Sequence, residues 1–330
     1  FVTGGARVDR VGHVSGHDAA HAAADVVRHY YQSNLAITIK ADKSPVTEAD
    51  VETEKTIRSI IEAKYPDHGF YGEETGSSHL DAEYVWIVDP IDGTKAFVRE
   101  YPMFSTQIAL MHRGRLIVGV SSAPAYGELA FGEIGVGAWL NDAPIRVSEI
   151  ATIEDAALST GNLKTLATGP RWPAFGRLVG RLSRIRGYGD FLHYHLLASG
   201  RIDAVVESDV NILDVGACAV IVEAAGGRFT DIDGQPLGLA SGSVLATNGR
   251  LHEAVLGAIH ASLAGLEPLR ESRGSLVFIA SVSGVRAIPN GAVYSASKAA
   301  VRALAESLRV ELARDGVHVG VVSPGFTASE

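Results

Sequence analysis

Tyr84-Val85-Trp86-Ile87-Val88-Asp89-Pro90-Ile91-Asp92-Gly93-Thr94 is the stretch whose reading decides the fold. Its first five residues are aromatic or β-branched, the composition of a short buried strand. Asp89 and Asp92 follow at once. Carboxylates leaving the end of a buried strand point into a crevice, and two of them three residues apart can bracket a hard cation. Gly93-Thr94 then starts a helix. The first N–H groups of a helix have no intrahelical acceptor and suit a phosphate.

Outward from this segment, further carboxylates gather. Gly72-Glu73-Glu74 lies upstream, after the apolar pair Phe70-Tyr71. Asp214 opens a helix read as Val215 to Ala225 and closed by Gly226-Gly227. Asp50 closes the run Pro45-Val46-Thr47-Glu48-Ala49-Asp50, at the head of a helix Asp50 to Lys64 with Ile57, Ile60 and Ile61 on one side and Pro66 beyond its end. Every candidate ligand is an oxygen, with no histidine or cysteine at metal-ligand spacing. That selects Mg²⁺, Mn²⁺ or Ca²⁺ over zinc. Several carboxylates around two hard cations and a phosphate make the arrangement for in-line phosphoryl displacement by activated water. Asp50 or Asp214 alone reads equally well as a cap or turn residue; the combination carries the chemistry.

The remaining elements alternate. His17 to Gln32 has helical apolar spacing at Ala20, Ala23, Ala24, Val27 and Tyr31. Gln107 to Met111 and Leu116 to Val120 flank the turn His112-Arg113-Gly114 and read as a hairpin. Ile202 to Val206 reads as a strand and Leu251 to Leu263 as a helix. Mixed elements of this kind give a layered α/β fold. The length, 330 residues, is about two domains' worth. A hydrophobic fraction of 46% and a charged fraction of 20% exclude disorder as the main state. Net charge −9 and a pI of about 5.7 argue against nucleic acid or an anionic membrane as partner. No apolar run approaches the ~18 residues of a membrane span. The single cysteine, Cys218, forms no internal disulfide, which fits a cytoplasmic location. The sequence starts at Phe1 rather than methionine, so a preceding segment stays open.

Asp89–Thr94, with Gly72-Glu73-Glu74 before it and Leu213-Asp214 and Gly226-Gly227 after it, resembles the inositol monophosphatase family over about residues 7–265. Within that family, Lys40-Ala41-Asp42-Lys43-Ser44-Pro45-Val46-Thr47, Thr94-Lys95-Ala96-Phe97 and Gly187-Tyr188-Gly189-Asp190 look like the histidinol-phosphate phosphatase branch. The resemblance implies a layered α-β-α-β-α sandwich with subdomains at about 7–147 and 148–265. It implies a Mg²⁺-dependent phosphomonoesterase, with histidinol phosphate as the first substrate and an inositol phosphate or a broad set of sugar phosphates as the alternative. Glu73, Asp89 and the Ile91 carbonyl would hold the first Mg²⁺, and Asp89, Asp92 and Asp214 the second, with a third, weaker ion beside Glu73. Asp50 and Thr94 would orient the attacking water, and Gly93 and Thr94 would meet the phosphate. A homodimer is implied as well. Leu213 departs from the pattern, which usually has tryptophan before the aspartate.

Around this pocket, Glu207 lies seven residues before Asp214, where the family places a carboxylate against the organic half of its substrate. Asp190 is placed to face an ammonium or imidazole; it also reads as a cap for the helix Phe191 to Ser199, and both roles are compatible. His193 and His195 point to different helix faces and read as packing or surface residues. Cys218 shares a helix face with Asp214 and reads as a buried structural thiol. Trp86 and Trp139 read as core.

Near Leu266 the character changes. Gly265-Leu266-Glu267-Pro268 reads as a linker, followed by strand (Ser275 to Ser281), helix (Tyr294 to Arg314) and strand (Val317 to Val322), a βαβ unit of Rossmann type. Residues 266–330 carry a net charge of +1, leaving −10 on the rest. Ser281, Tyr294 and Lys298 have the spacing of a hydride-transfer acid–base set, in which the ammonium lowers the phenol's pKa. The stretch Gly274–Phe326, with Ser323-Pro324-Gly325, resembles short-chain dehydrogenases/reductases, and Val2-Thr3-Gly4-Gly5-Ala6-Arg7 looks like the start of that family's nucleotide turn. The turn's later glycines are replaced by Val8 and Arg10, and the next strands have no counterpart, so the cofactor half is missing. An NAD(P)-dependent oxidoreductase is therefore the rival reading. Residues 1–6 read as a dehydrogenase remnant and 266–330 as an incomplete dehydrogenase-like segment.

Overall fold

The computed structural model describes residues 5–32, 37–39, 45–260, 272–281 and 292–324. Two compact units divide the chain, Phe1–Ile259 and His260–Glu330.

The first unit starts with α1 (Gly5–Tyr30) and the small antiparallel pair β1 (Ile37–Ile39) and β2 (Pro45–Thr47), followed by α2 (Glu48–Lys64). Then come β3 (Gly69–Gly72), β4 (Ser77–Ser78), β5 (Tyr84–Asp92), the short α3 (Thr94–Val98), β6 (Ser105–His112), β7 (Arg115–Ala123), β8 (Glu128–Glu133), β9 (Gly137–Leu140) and β10 (Ala143–Ile145). These strands form one eight-stranded sheet in the order β10-β9-β8-β7-β6-β5-β3-β4. The expected hairpin is β6–β7. Gly5-Ala6-Arg7, read as the edge of a nucleotide turn, form the first turn of α1 instead. A phosphate turn needs a strand before it and glycines after it, and the sequence here continues into a helical pattern. Residues 1–4 and 40–44 lie outside those described.

The chain continues through β11 (Ala157–Thr160), α4 (Lys164–Thr168), α5 (Trp172–Val179), β12 (Arg184–Arg186), α6 (Asp190–Ala198), β13 (Ala204–Ser208), α7 (Ile212–Ala224), β14 (Arg228–Thr230), β15 (Ser243–Thr247) and α8 (His252–His260). Its five strands pair in the order β12-β11-β13-β15-β14.

Side-chain alternation stacks the layers. Trp86, Val88, Ile108 and Leu110 face Ala19 and Ala23 of α1 and Ile57 and Ile61 of α2. Ile87 and Ala109, on the opposite face, meet Ile212, Leu213 and Ala217 of α7. In the second sheet Val205, Val244 and Ala246 join Leu197 of α6 and Val222 of α7, whereas Val206 and Leu245 meet Phe175 of α5 and Val255 of α8. The result is α-β-α-β-α, with α6 and α7 between the two sheets. The α7 helix sits directly on the larger sheet: a Cβ on Gly119 of β7 would lie 2.3 Å from the Ala217 carbonyl oxygen. Trp86 is fully buried, as read from the sequence, whereas Trp139 is only half-buried at the edge of the same cluster.

In the second unit β16 (Ser275–Ile279) and β17 (His318–Val322) pair in parallel, connected through α9 (Ala292–Leu312). Leu276, Phe278, Val319 and Val321 pack with Ala305, Leu308 and Leu312 of α9. Val277, Ile279 and Val322 face the other way and are 55%, 68% and 52% exposed. The linker at 265–268 and Gly325 lie outside the described residues.

Candidate active site

Two aspartates three residues apart on a regular strand point to opposite faces. The strand β5 does not stop before them, as the sequence reading has it, but runs through both. What aligns them is a bulge: Asp89 pairs with Gln107 and Asp92 with Ser105, so Pro90 and Ile91 together oppose Thr106. The extra residue returns Asp92 to the face of Asp89, the face toward α7. Thr106 fixes the bulge by donating from Oγ1 to the Pro90 carbonyl at 2.8 Å.

Asp214 arrives from α7. It is the third residue of that helix rather than its opener, because the helix starts at Ile212. Asn211 caps it: the Asn211 N–H donates to Asp214 Oδ2 at 2.9 Å and its Nδ2 to Oδ1 at 2.8 Å. Asp89, Asp92 and Asp214 each bring an oxygen within 4.8 Å of the others. Glu73, exposed on the loop after β3, shares a hydrogen bond with the Asp89 carboxyl.

The electrostatics follow from placement. Burial pushes the Asp89 carboxyl well up, and the charges of Glu73, Asp92 and Asp214 add to it. Asp92 is raised likewise by burial, then by Asp190 and Asp214. Asp214 is pushed up to about 7 by burial, against the pull of its Asn211 hydrogen bonds. Buried carboxylates facing one another call for a counter-charge, and an all-oxygen donor set of this kind fits a hard divalent cation.

Asp50 and Thr94 form the adjoining wall. Asp50 is 2% exposed, at the third position of α2. Its Oδ2 accepts from the Thr47 N–H at 2.8 Å and from Thr47 Oγ1 at 2.6 Å, which is the back-reaching half of a capping box. Its Oδ1 lies 3.2 Å from Thr94 Oγ1, which also lies 3.0 Å from the Ile91 carbonyl. Burial raises the Asp50 carboxyl, with the Thr47 and Thr94 bonds opposing. For Asp50 and Asp214, capping and site membership are thus one geometry. Gly93, at φ +88°, turns the chain between β5 and α3, and a Cβ there would lie 2.5 Å from the Met103 carbonyl oxygen.

A second acidic group lies on α6 and β13. Asp190 starts α6 with Gly189 in the cap position, and no side chain makes a capping hydrogen bond there. Burial, with the Glu207 charge behind it, pushes Asp190 up to about 6. Glu207 is 4% exposed and already engaged. Its Oε1 accepts from the Asn162 N–H at 3.0 Å, its Oε2 from the Tyr194 hydroxyl at 2.8 Å, and His193 Nε2 stands 3.1 Å from the same Oε2. Burial pushes Glu207 up, but these partners outweigh it and hold it below the usual carboxylate range.

His193 and His195 diverge as their spacing requires, yet neither reaches the surface: they are 0% and 1% exposed. His195 reaches Glu128 at 2.8 Å and Ser121 at 2.9 Å, tying α6 to the larger sheet. Cys218 is fully buried, 3.5 Å from Gln107 Oε1, and its thiol is pushed up by burial. Sequence reasoning missed Tyr194 and Asn162, which carry no motif, and Glu54, whose four-residue spacing from Asp50 was a usable signal.

Comparison with known proteins gives this geometry its context. The model of the inositol monophosphatase family matches residues 13–264, and the chain belongs to that family. A histidinol-phosphatase of Mycobacterium tuberculosis is 40% identical over 69% of this chain and 89% of its own length. An inositol-1-monophosphatase of Synechocystis is 36% identical over 66% of this chain and 77% of its own length. The crystal structure of the extragenic suppressor protein suhB of Bartonella henselae superposes with a TM-score of 0.70 at 29% identity, covering 77% of this chain and 99% of that one. The fold and the enzyme class follow: a phosphoric monoester hydrolase. The short chain dehydrogenase model matches residues 199–330, beginning inside the first unit. In the second unit Ser281 follows β16, and Tyr294 and Lys298 lie one turn apart on α9. The Tyr294 side chain is outside those described. No helix among the described residues is long and apolar enough to cross a membrane.

Proposed function

We propose that this protein is a Mg²⁺-dependent phosphatase of histidinol phosphate. The observation that carries the substrate is Asp190. It stands close enough to Asp92 to be the first charge acting on it, and it sits at the first position of α6, with Gly189 rather than Asp190 in the cap position. A cationic group seated beside it would relieve the proton it holds at about 6. Glu207, with both oxygens engaged, supplies negative charge behind Asp190 rather than a free acceptor. A substrate with ammonium and imidazole groups suits that field. The histidinol-phosphatase relatives support the same reading.

Glu73, Asp89 and the Ile91 carbonyl would hold one ion and Asp89, Asp92 and Asp214 the other, with a third, weaker ion beside Glu73. When bound, such ions polarise a phosphoryl oxygen and make a water acidic enough to attack at neutral pH. The protein's own part is orientation and proton transfer. Thr94 Oγ1, donating toward Asp50 Oδ1 or the Ile91 carbonyl, turns a lone pair to the attacking water. Asp50, raised by burial, is suited to take the proton. The N–H groups of Gly93 and Thr94 would receive the phosphate. Because α3 has only five residues, these local groups matter more than a helix dipole.

An inositol phosphate or a broad sugar-phosphate preference is the second reading, favoured by the Synechocystis relative. A homodimer, taken from the family resemblance, completes the proposal, and the single buried free thiol fits a cytoplasmic location. The test is a phosphate-release screen over phosphomonoesters with Mg²⁺. Histidinol phosphate should give the highest kcat/KM, and a preference for inositol phosphate would defeat the assignment.

A further inference from the structure

Asp50, Glu54 and Arg58 recur at four-residue intervals along α2, and the last two of that stripe meet the segment running from β3 to β4. Asp50 belongs to the site. The other two take hold of the loop that carries Glu73. Glu54 is fully buried, and its carboxylate is filled by that loop. The Glu74 N–H donates to Oε2 at 2.7 Å, and the Thr75 N–H and Thr75 Oγ1 both donate to Oε1 at 2.5 Å. Arg58 closes the far end, donating to Thr75 Oγ1 at 3.1 Å and to Ser78 Oγ at 3.1 Å. Its guanidinium stacks 5.0 Å over the Phe70 ring of β3.

The approach leaves no slack. A Cβ on Gly72, the residue before Glu73, would lie 2.3 Å from Glu54 Oε1. Successive N–H groups converging on one carboxylate form an anion-binding nest, here occupied from within the protein. The nest starts at the residue next to Glu73, whose own N–H meets the Val88 carbonyl of β5 at 3.3 Å. Glu73 is thus fixed on one side by the strand that bears Asp89 and on the other by α2.

We propose that Glu54 is a positioning residue for the metal centre: by ordering residues 74 and 75 it holds Glu73 over Asp89 before any ion arrives. It touches neither substrate nor ion. The inference rests on the metal reading above, and its test separates the two. Glu54→Gln keeps the shape but sets an amide against three donors, and Thr75→Val removes one bond while leaving the buried carboxylate and both backbone donors.

Hydrogen exchange of the Glu74 and Thr75 amides is read first, in chelator. Protection should fall in Glu54→Gln, and less in Thr75→Val. Mg²⁺ binding is then read by calorimetry, with the activity at rising Mg²⁺. Loss of an outer partner typically costs roughly ten- to hundred-fold in metal affinity. The Mg²⁺ requirement of Glu54→Gln should rise by about that much, with kcat at saturating Mg²⁺ within a few-fold of wild type. Unchanged amide protection would overturn the clamp, as would a loss of kcat at an unaltered Mg²⁺ requirement. If Glu54→Gln fails to fold, Thr75→Val decides alone: an unchanged Mg²⁺ requirement there overturns the inference. A wild-type enzyme indifferent to chelator would instead sink the metal reading, with the exchange result still standing for the loop.

Discussion

Asp92 faces Asp89 only because a bulge turned it there, and its charge is one the fold does not otherwise balance. Asp92→Asn should therefore lose most of the activity while leaving the fold intact, since one ion loses a charged ligand. Chelator should abolish wild-type turnover and Mg²⁺ restore it; full activity in chelator is the outcome that would exclude a metal mechanism. Asp190→Asn should act differently. An interaction with a charged group contributes about 1.5–3 kcal/mol, so KM for histidinol phosphate should rise roughly ten-fold or more. KM for a neutral sugar phosphate should hardly move, and equal losses on both would assign Asp190 to structure. Proton linkage gives a further expectation. Asp214 at about 7 and Asp190 at about 6 keep protons in the fold that the unfolded chain releases near its ordinary carboxylate value of about 4. Stability from this source is fully present below about pH 4 and is lost as pH rises through 6 and 7. In chelator Tm should fall between about pH 5 and pH 8. Mg²⁺ binds the deprotonated ligands, so the gap it opens in Tm should widen with pH. Melting curves with and without Mg²⁺ check both slopes, and a chelated protein that gains stability toward pH 8 would contradict the proton-loaded cluster.

Elements that bury one regular face were legible, and those set by a distant contact were not. The stripe Ile57-Ile60-Ile61 gave α2 to within two residues of its start, and the turn at Gly114 gave the β6–β7 hairpin. The carboxylates Asp89, Asp92 and Asp214 do converge, as their motif suggested, but the bulge that aligns them leaves no mark in composition; only the register against Gln107 and Ser105 reveals it. Glu54 repeats Asp50 one turn further along α2, but its partners, the Glu74 and Thr75 N–H groups and the Thr75 hydroxyl, lie twenty and twenty-one residues away and leave no pattern of their own. His193 and His195 could equally have been solvent-facing, since the carboxylates that bury them come from β13 and β8. The seat of α7 belongs to this scale as well. Gly119→Ala sets a Cβ against the Ala217 carbonyl oxygen, 2.3 Å away in the present packing, so the helix must move or the strand must bend. Overpacking of this kind costs about 1–3 kcal/mol. Because α7 carries Asp214, Mg²⁺ affinity should weaken together with stability in a denaturant titration. Lost stability with unaltered Mg²⁺ binding would mean that the strain is absorbed away from Asp214.

Across the whole chain, the two units differ in how completely they close their cores. The first sandwiches two sheets between helices on every face. The second buries one face of a two-stranded parallel sheet beneath α9 and leaves Val277, Ile279 and Val322 exposed on the other. Parallel strands ordinarily have both faces covered, and so small a sheet is marginal alone. The second unit should therefore unfold at lower temperature than the first, as an early transition in calorimetry. Its Ser281, Tyr294 and Lys298 keep the spacing of a hydride-transfer set, but the described residues contain no glycine-rich strand–turn–helix to hold a nicotinamide beside them. A proton donor has nothing to assist without that cofactor. NADH and NADPH should give no saturable fluorescence change, and no alcohol should be oxidised. Every residue assigned to the metal and substrate sites lies within Phe1–Ile259. A chain ended at Gly265 should accordingly keep phosphatase turnover within a few-fold of the full length. Micromolar binding of either nucleotide would revive the oxidoreductase reading. Collapse of turnover on truncation would show that the phosphatase depends on residues its own layers do not explain.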